Sequence, residues 1–147
     1  MTKIYVDGDA CPVKDEIIRV AERYGVPVVV VSNGGLRPSR DPMIQHVIVP
    51  HGADVADDWI AEHIEAGDVA VTSDIPLAQR CLDKKARVLG PAGKPFTDAN
   101  IGMAIAMRGL KQDLRESGEI KGYNPGFTKA DRSNFLQALD RFLAAKV

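Results

Sequence analysis

Near its start the chain reads Ile4-Tyr5-Val6-Asp7-Gly8-Asp9-Ala10-Cys11-Pro12, an apolar run that ends on two aspartates and is followed by a helical pattern. This order predicts a first β-strand that delivers Asp7 and Asp9 to its carboxyl end before the chain turns into a helix. Ligands of open α/β sheets bind at that end of the strands. Two carboxylates so close repel each other unless a cation or hydrogen-bond donors compensate, and carboxylate oxygens suit hard divalent cations. A turn that caps the following helix is the alternative explanation of both aspartates.

Strand and helix patterns alternate along the rest of the first two thirds of the chain. Further strands are predicted at residues 26–31, 46–50, 69–72 and 86–89, with helices at 12–24, from residue 54 and from residue 74. The last third is predicted to be helical, and the helical spacing of Met103, Met107, Leu110 and Leu114 assigns them to the core. The pattern predicts a single α/β domain over residues 1–147, a three-layer α/β/α fold with a mainly parallel central sheet of about five strands.

The composition is that of an ordinary soluble protein, with 45% apolar and 27% charged residues. No apolar run is long enough to span a bilayer, and Cys11 and Cys81 form no disulfide framework, so we expect a cytoplasmic protein without a membrane partner. Charge is divided unevenly. Residues 1–80 hold 7 Lys and Arg against 13 Asp and Glu, whereas residues 81–147 hold 12 against 7. This asymmetry suits a metal-dependent enzyme that acts on a polyanion, and ordinary solvated charge explains it equally well.

Further acids follow the later strands. Asp54, Asp57 and Asp58 are three and four residues apart at the start of the second predicted helix, and Asp74 follows the fourth strand. Each acid alone is explained by helix capping or by the helix dipole. With Asp7 and Asp9 they would place up to six carboxylates at one sheet edge, a set that suits one or two Mg²⁺ or Mn²⁺ ions. His51 is a lesser candidate ligand near the same edge.

A polyanionic substrate would need positive charge from elsewhere in the chain. The candidates are two arginines in the loop after the second strand and three residues that share a late helical face: Arg37, Arg40, Arg108, Lys111 and Arg115. Solvated surface charge is an equal explanation of both groups.

Four stretches together resemble the YaiI/YqxD family of uncharacterised bacterial proteins, which belongs to the PIN-like domains. They are Val6-Asp7-Gly8-Asp9-Ala10-Cys11-Pro12, Gly52-Ala53-Asp54-Val55-Ala56-Asp57-Asp58-Trp59-Ile60, Val71-Thr72-Ser73-Asp74-Ile75-Pro76-Leu77-Ala78 and Phe96-Thr97-Asp98-Ala99-Asn100-Ile101.

The resemblance implies a PIN-like fold, and many PIN-like proteins are Mg²⁺- or Mn²⁺-dependent ribonucleases. Asp7, Asp57 and Asp74 match the acidic site of such enzymes, and Asp9 and Asp58 are possible extra ligands. The helical glutamate of typical PIN nucleases has no clear match in this chain, and Asp9 is the candidate to replace it. The resemblance thus implies hydrolysis of single-stranded RNA by a metal-activated water, with Asp7, Asp9, Asp57 and Asp74 as the catalytic residues.

Two other functions remain open from the sequence. Asp7 and Asp9 after a strand, with Ser32 after the next one, also fit a haloacid-dehalogenase-like phosphatase in which Asp7 attacks phosphorus. That interpretation finds no convincing lysine and leaves Asp57 and Asp58 unexplained. A PIN-like scaffold that binds RNA or a protein without cutting is the third possibility.

Overall fold

The computed structural model describes residues 2–8, 13–33, 42–52, 54–103, 106 and 128–144. Their strands form one six-stranded sheet in the order β3-β2-β1-β4-β5-β6. The strands are β1 Ile4–Asp7, β2 Val28–Ser32, β3 Ile44–Ile48, β4 Val69–Val71, β5 Arg87–Leu89 and β6 Pro95–Phe96.

The first five strands are parallel, as predicted, and β6 pairs antiparallel with β5. β6 was not predicted from the sequence, because two residues that begin with proline carry no strand periodicity. Proline is tolerated there because β6 is an edge strand. β3 begins at Ile44, two residues before the predicted start.

Helices lie between and after the strands. They are α1 Lys14–Tyr24, α2 Val55–His63, α3 Ile75–Asp83 and α4 Lys129–Ala144, and another helical segment begins at residue 101. α1 ends at Gly25, whose φ of 64° lets its N–H reach the carbonyls of Ala21 and Glu22. α4 begins with reciprocal hydrogen bonds between Thr128 and Asp131, which form a capping box. No described helix is long and apolar enough to cross a membrane.

Two hydrophobic cores lie on opposite faces of the sheet. On one face, α1 and α4 pack through residues such as Ile17, Phe135 and Leu139. On the other face, α2 and α3 pack through residues such as Ile60 and Leu77. All five residues of β2 are buried, as expected for a parallel strand covered on both faces. The prediction of a three-layer α/β/α fold is confirmed.

The assignment of Met103 to the core was wrong. Its side chain is 74% exposed, whereas Ile101 in the same helical segment is 4% exposed. Helical spacing identifies residues that share a face, but it does not say which face meets the sheet. Met107, Leu110 and Leu114 lie outside the described residues.

Gly93 lies in the turn that follows β5, and its substitution tests how closely this turn packs against α4. Its φ is +90°, and a Cβ built there would lie 2.6 Å from the backbone carbon of Asn134. We expect Gly93→Ala to lower the free energy of unfolding by about 3 kcal/mol, because a left-handed backbone and a close contact with backbone atoms both oppose the methyl group.

Two other glycines are matched controls for this substitution. Gly25 has φ +64° but open space around its Cβ position, so Gly25→Ala should cost only about 1 kcal/mol. Gly102 has open space and no positive φ, so Gly102→Ala should cost nothing. Urea unfolding of the three variants measures the series, and equal losses at Gly93 and Gly25 would contradict the close contact.

Candidate functional site

The order of the strands places the candidate site at the junction of β1 and β4. From β1 the chain moves outward to β2 and β3, then returns to add β4, β5 and β6 on the other side. In open α/β sheets ligands bind at the carboxyl ends of the strands, where the order reverses in this way. Val6 pairs with Val71 across the junction, so Asp7 and Thr72 leave the sheet side by side.

Thr72 links the aspartates that follow these two strands. Its hydroxyl donates to Oδ2 of Asp7 at 3.4 Å and accepts from the backbone N–H of Asp74 at 3.0 Å. Oδ1 of Asp74 in turn accepts from the N–H of Leu77 at 2.9 Å, which caps α3. The predicted cap is therefore present, and it fixes the Asp74 carboxylate at the start of α3, whereas the side chain of Asp7 is buried at the end of β1.

The first turn of α2 brings a third acid to this junction. The carboxyl group of Asp57 is half-buried and lies close to that of Asp74. Burial raises its pKa to about 7, and the negative charges of Asp74, Asp7 and Asp54 act in the same direction. The structure thus brings together Asp7, Asp57 and Asp74, the three acids that the family resemblance implied.

Asp54 and Asp58 stand in two different environments. Asp54 occupies the N-cap position of α2 with φ 64°, yet its side chain makes no cap hydrogen bond. Its carboxylate is therefore not used as the helix cap that the alternative interpretation assigned to it. Asp58 instead forms an ion pair with α3, in which Nη1 of Arg80 lies 2.6 Å from its Oδ1.

These groups line one polar pocket of about 280 Å³. Its walls are Asp54, Asp57, Asp58, Asp74, Pro76, Leu77 and Arg80. Within the described part of the chain, no three His, Cys, Asp or Glu side chains stand in an arrangement that could hold a metal ion. The pocket supplies carboxylate oxygens that repel one another, which is the donor chemistry that suits Mg²⁺ or Mn²⁺.

Several predicted site residues lie outside the described residues: Asp9, Arg37, Arg40, Arg108, Lys111 and Arg115. His51 is exposed, and it is not among the residues that line the pocket.

Two cations near the site were not among the residues predicted from the sequence. Arg80 lines the pocket, and Nζ of Lys14 donates to the carbonyl of Gly8 at 2.9 Å, directly after Asp7. The spacing of Pro76, Leu77 and Arg80 places all three on one face of α3, and this pattern could have identified Arg80.

The raised pKa of Asp57 predicts how the metal-free protein responds to pH. Because the pKa in the folded state (about 7) exceeds the ordinary value of 3.8, the folded protein binds more protons between these values, and its stability falls as pH rises through that window. We expect Asp57→Asn to raise the free energy of unfolding at pH 8 by about 1 to 2 kcal/mol, after allowance for solvent screening of this half-exposed group.

At pH 4, close to the ordinary pKa of 3.8, the same substitution should have only a small effect, because the carboxyl group is still protonated in the folded state and about half protonated in the unfolded state. Denaturant unfolding in EDTA at the two pH values measures the difference. Asp83→Asn, at an exposed acid that hydrogen-bonds only Gln79 among the described residues, is the matched control. A gain in stability that is the same at both pH values would contradict the assigned pKa.

The fold and the site define an α/β protein with a cluster of aspartates at the topological switch point of its sheet. Comparison with known protein families identifies the family of the chain. The profile of the family described as "Uncharacterized BCR, YaiI/YqxD family" matches residues 5–145, and the chain belongs to this family.

Curated relatives agree with this assignment. The UPF0178 protein of Mesorhizobium japonicum is 65% identical over 140 residues, which cover 95% of this chain and 90% of that protein. The UPF0178 protein of Agrobacterium fabrum is 60% identical over 140 residues, 95% of this chain and 92% of the relative. No solved structure matches the chain.

Proposed function

We propose that this protein is a Mg²⁺- or Mn²⁺-dependent nuclease that hydrolyses phosphodiester bonds in single-stranded RNA. The observation that carries the proposal is the half-buried carboxyl group of Asp57, which lies in the pocket with Asp74 and Asp54 and near enough to Asp7 for all three charges to raise its pKa. A half-buried acid among other acids is destabilising when ionised, unless a cation balances the charge. Perturbed carboxyl groups of this kind in a pocket are typical of functional sites.

Carboxylate oxygens are the donor type that the proposed ion prefers, although the described residues alone do not arrange three of them as a metal site. Asp7, Asp57 and Asp74 would hold it, and Asp9 is a further candidate ligand. An ion bound there supplies an activated water and neutralises negative charge that develops on the phosphodiester. Asp57 must give up its proton for this role, and its pKa of about 7 lets it do so near neutral pH.

The surrounding residues keep these carboxylates in position. The hydroxyl of Thr72 donates to the carboxylate of Asp7 and accepts from the backbone N–H of Asp74, so one side chain orients the first acid and anchors the backbone of the second. The N-terminus of α3 holds Asp74 through the N–H of Leu77. Fixed oxygens of this kind reduce the reorganisation needed when charge is bound.

The presence of Asp57 in the pocket also favours the nuclease over the phosphatase. A covalent phosphatase mechanism would use Asp7 as the nucleophile, and it gives Asp57 no role in the pocket. The preference for single-stranded RNA comes from the resemblance to PIN-like ribonucleases and from the excess of basic residues in the second half of the chain.

One experiment compares the three functions. The protein is incubated with Mn²⁺ and with a labelled single-stranded RNA, a single-stranded DNA of the same sequence, or a small phosphomonoester. We expect cleavage of the RNA that stops on addition of EDTA and is lost in Asp7→Asn.

The other outcomes are equally distinct. Hydrolysis of the phosphomonoester with a phosphoryl group trapped on Asp7 would establish the phosphatase instead. Metal-dependent RNA binding without cleavage of any substrate would leave the non-catalytic scaffold.

A further inference from the structure

One cation stands at the rim of the acidic pocket. Arg80 lines the same pocket as Asp57 and Asp74, and its side chain is 44% exposed. It is the only Lys or Arg among the described residues that line this pocket. Since carboxylates repel a phosphate, the position of the one lining cation bears directly on where a phosphate can approach.

The hydrogen bond of Arg80 leaves part of its guanidinium available. Nη1 donates to Oδ1 of Asp58 at 2.6 Å, whereas a guanidinium carries five N–H donors in a rigid fork. The exposed remainder of the fork can meet two oxygens of a phosphate, which is the geometry that arginine prefers. A guanidinium already held at one nitrogen loses less freedom when it binds a ligand.

This ion pair makes Asp58 a partner of Arg80 rather than a candidate metal ligand. Its carboxylate faces α3 in an ion pair, whereas Asp57, one residue earlier, faces Asp74. Both partners of the pair are about half exposed, and such ion pairs contribute little to stability. Stabilisation of the contact between α2 and α3 is therefore a weak explanation for the pair.

We infer that Arg80 binds a phosphate of the substrate beside the acid cluster and that Asp58 is a positioning residue that holds its guanidinium in place. The inference rests on the proposed nuclease function and adds to it the group that contacts the substrate. It also removes Asp58 from the candidate metal ligands.

The test measures metal and RNA binding separately. Mn²⁺ binding is followed by calorimetry. RNA binding is followed by fluorescence anisotropy in Mn²⁺ across a salt series, with a single-stranded RNA whose phosphorothioate linkages keep the charge and resist hydrolysis. The variants are Arg80→Ala, Arg80→Lys and Asp58→Asn. Arg23→Ala is the matched control, because Arg23 forms a similar exposed ion pair, with Asp140 at 2.9 Å, between α1 and α4.

We expect Arg80→Ala to weaken RNA binding about tenfold, the usual effect of a lost hydrogen bond to a charged group. The slope of log K against log salt should fall by about 0.7, because one phosphate contact is lost. Arg80→Lys should restore the slope but only part of the affinity, since lysine keeps the charge without the fork. Asp58→Asn should keep the slope and weaken binding a few fold, and Arg23→Ala should change neither quantity.

Metal binding separates this inference from the proposed function. All variants should bind Mn²⁺ as the wild type does. Loss of Mn²⁺ binding in Asp58→Asn would overturn the inference by making Asp58 a ligand, and wild-type RNA affinity with an unchanged slope in both Arg80 variants would overturn it as well. If the wild-type protein itself bound no Mn²⁺, the proposed function would fall, and this inference with it.

Discussion

Replacing Asp7 and Asp74 together by asparagine is expected to abolish Mn²⁺ binding and to lower RNA cleavage by about a thousandfold or more, as when an enzyme loses central catalytic groups. The two residues lie at the junction of β1 and β4, where the Thr72 hydroxyl bonds the carboxylate of Asp7 and the backbone N–H of Asp74. Both would be direct ligands of the proposed ion, so the double substitution removes two of the carboxylates proposed to hold it.

Asparagine is the informative substitution at both positions because it removes charge and keeps shape. At position 74 it remains a good helix cap for the N–H of Leu77. At position 7 its carbonyl oxygen can still accept from Thr72. The double variant should therefore unfold at nearly the wild-type urea concentration in EDTA, which separates loss of metal from loss of structure.

Calorimetry with Mn²⁺ and a cleavage assay measure the two effects, with Asp83→Asn as the control for a removed surface carboxylate. The control should bind and cleave as the wild type does. If the double variant retained the wild-type heat of Mn²⁺ binding, the ion would have to bind at other residues, and the assignment of Asp7 and Asp74 would be wrong.

The positions of Asp7 and Asp74 could be predicted because they depend on simple patterns. Each acid follows a short apolar run, and parallel strands that alternate with helices direct their carboxyl ends to one edge of the sheet. The direct pairing of β1 with β4 could not be predicted from such patterns, because strand order depends on how the whole chain packs. The sequence therefore predicted a shared edge, and the strand order determined which acids became neighbours.

The acids of α2 show where sequence spacing stops being sufficient. Residues three and four apart share a helical face, so Asp54, Asp57 and Asp58 were expected to act together. Adjacent residues differ by about 100° around the helix axis, so Asp57 faces Asp74 while Asp58 faces Arg80 on α3. Only the placement of α3 beside α2 reveals this division, and the same placement brings Arg80 into the pocket.

The proton on Asp57 makes a further prediction for the metal site, which is that the affinity for Mn²⁺ depends strongly on pH. Below its pKa of about 7 the carboxyl group of Asp57 carries a proton, and a ligand must lose its proton before it binds a metal ion. We expect the apparent affinity to rise by up to about tenfold per pH unit between pH 5 and pH 7 and then to level off, because one proton is released per ion bound. A carboxyl group with the ordinary pKa of 3.8 would instead give a nearly flat profile over this range.

Calorimetry in two buffers of different ionisation enthalpy measures both the affinity and the number of protons released. Near pH 6 the wild-type protein should release close to one proton per Mn²⁺, whereas Asp57→Asn should bind more weakly and release almost none. Asp83→Asn should reproduce the wild-type pH profile. A flat wild-type profile would mean that Asp57 is ionised before the metal binds, or that it is not a ligand. The pH dependence thus tests the residue on which the proposed function rests, and it does so without any RNA substrate.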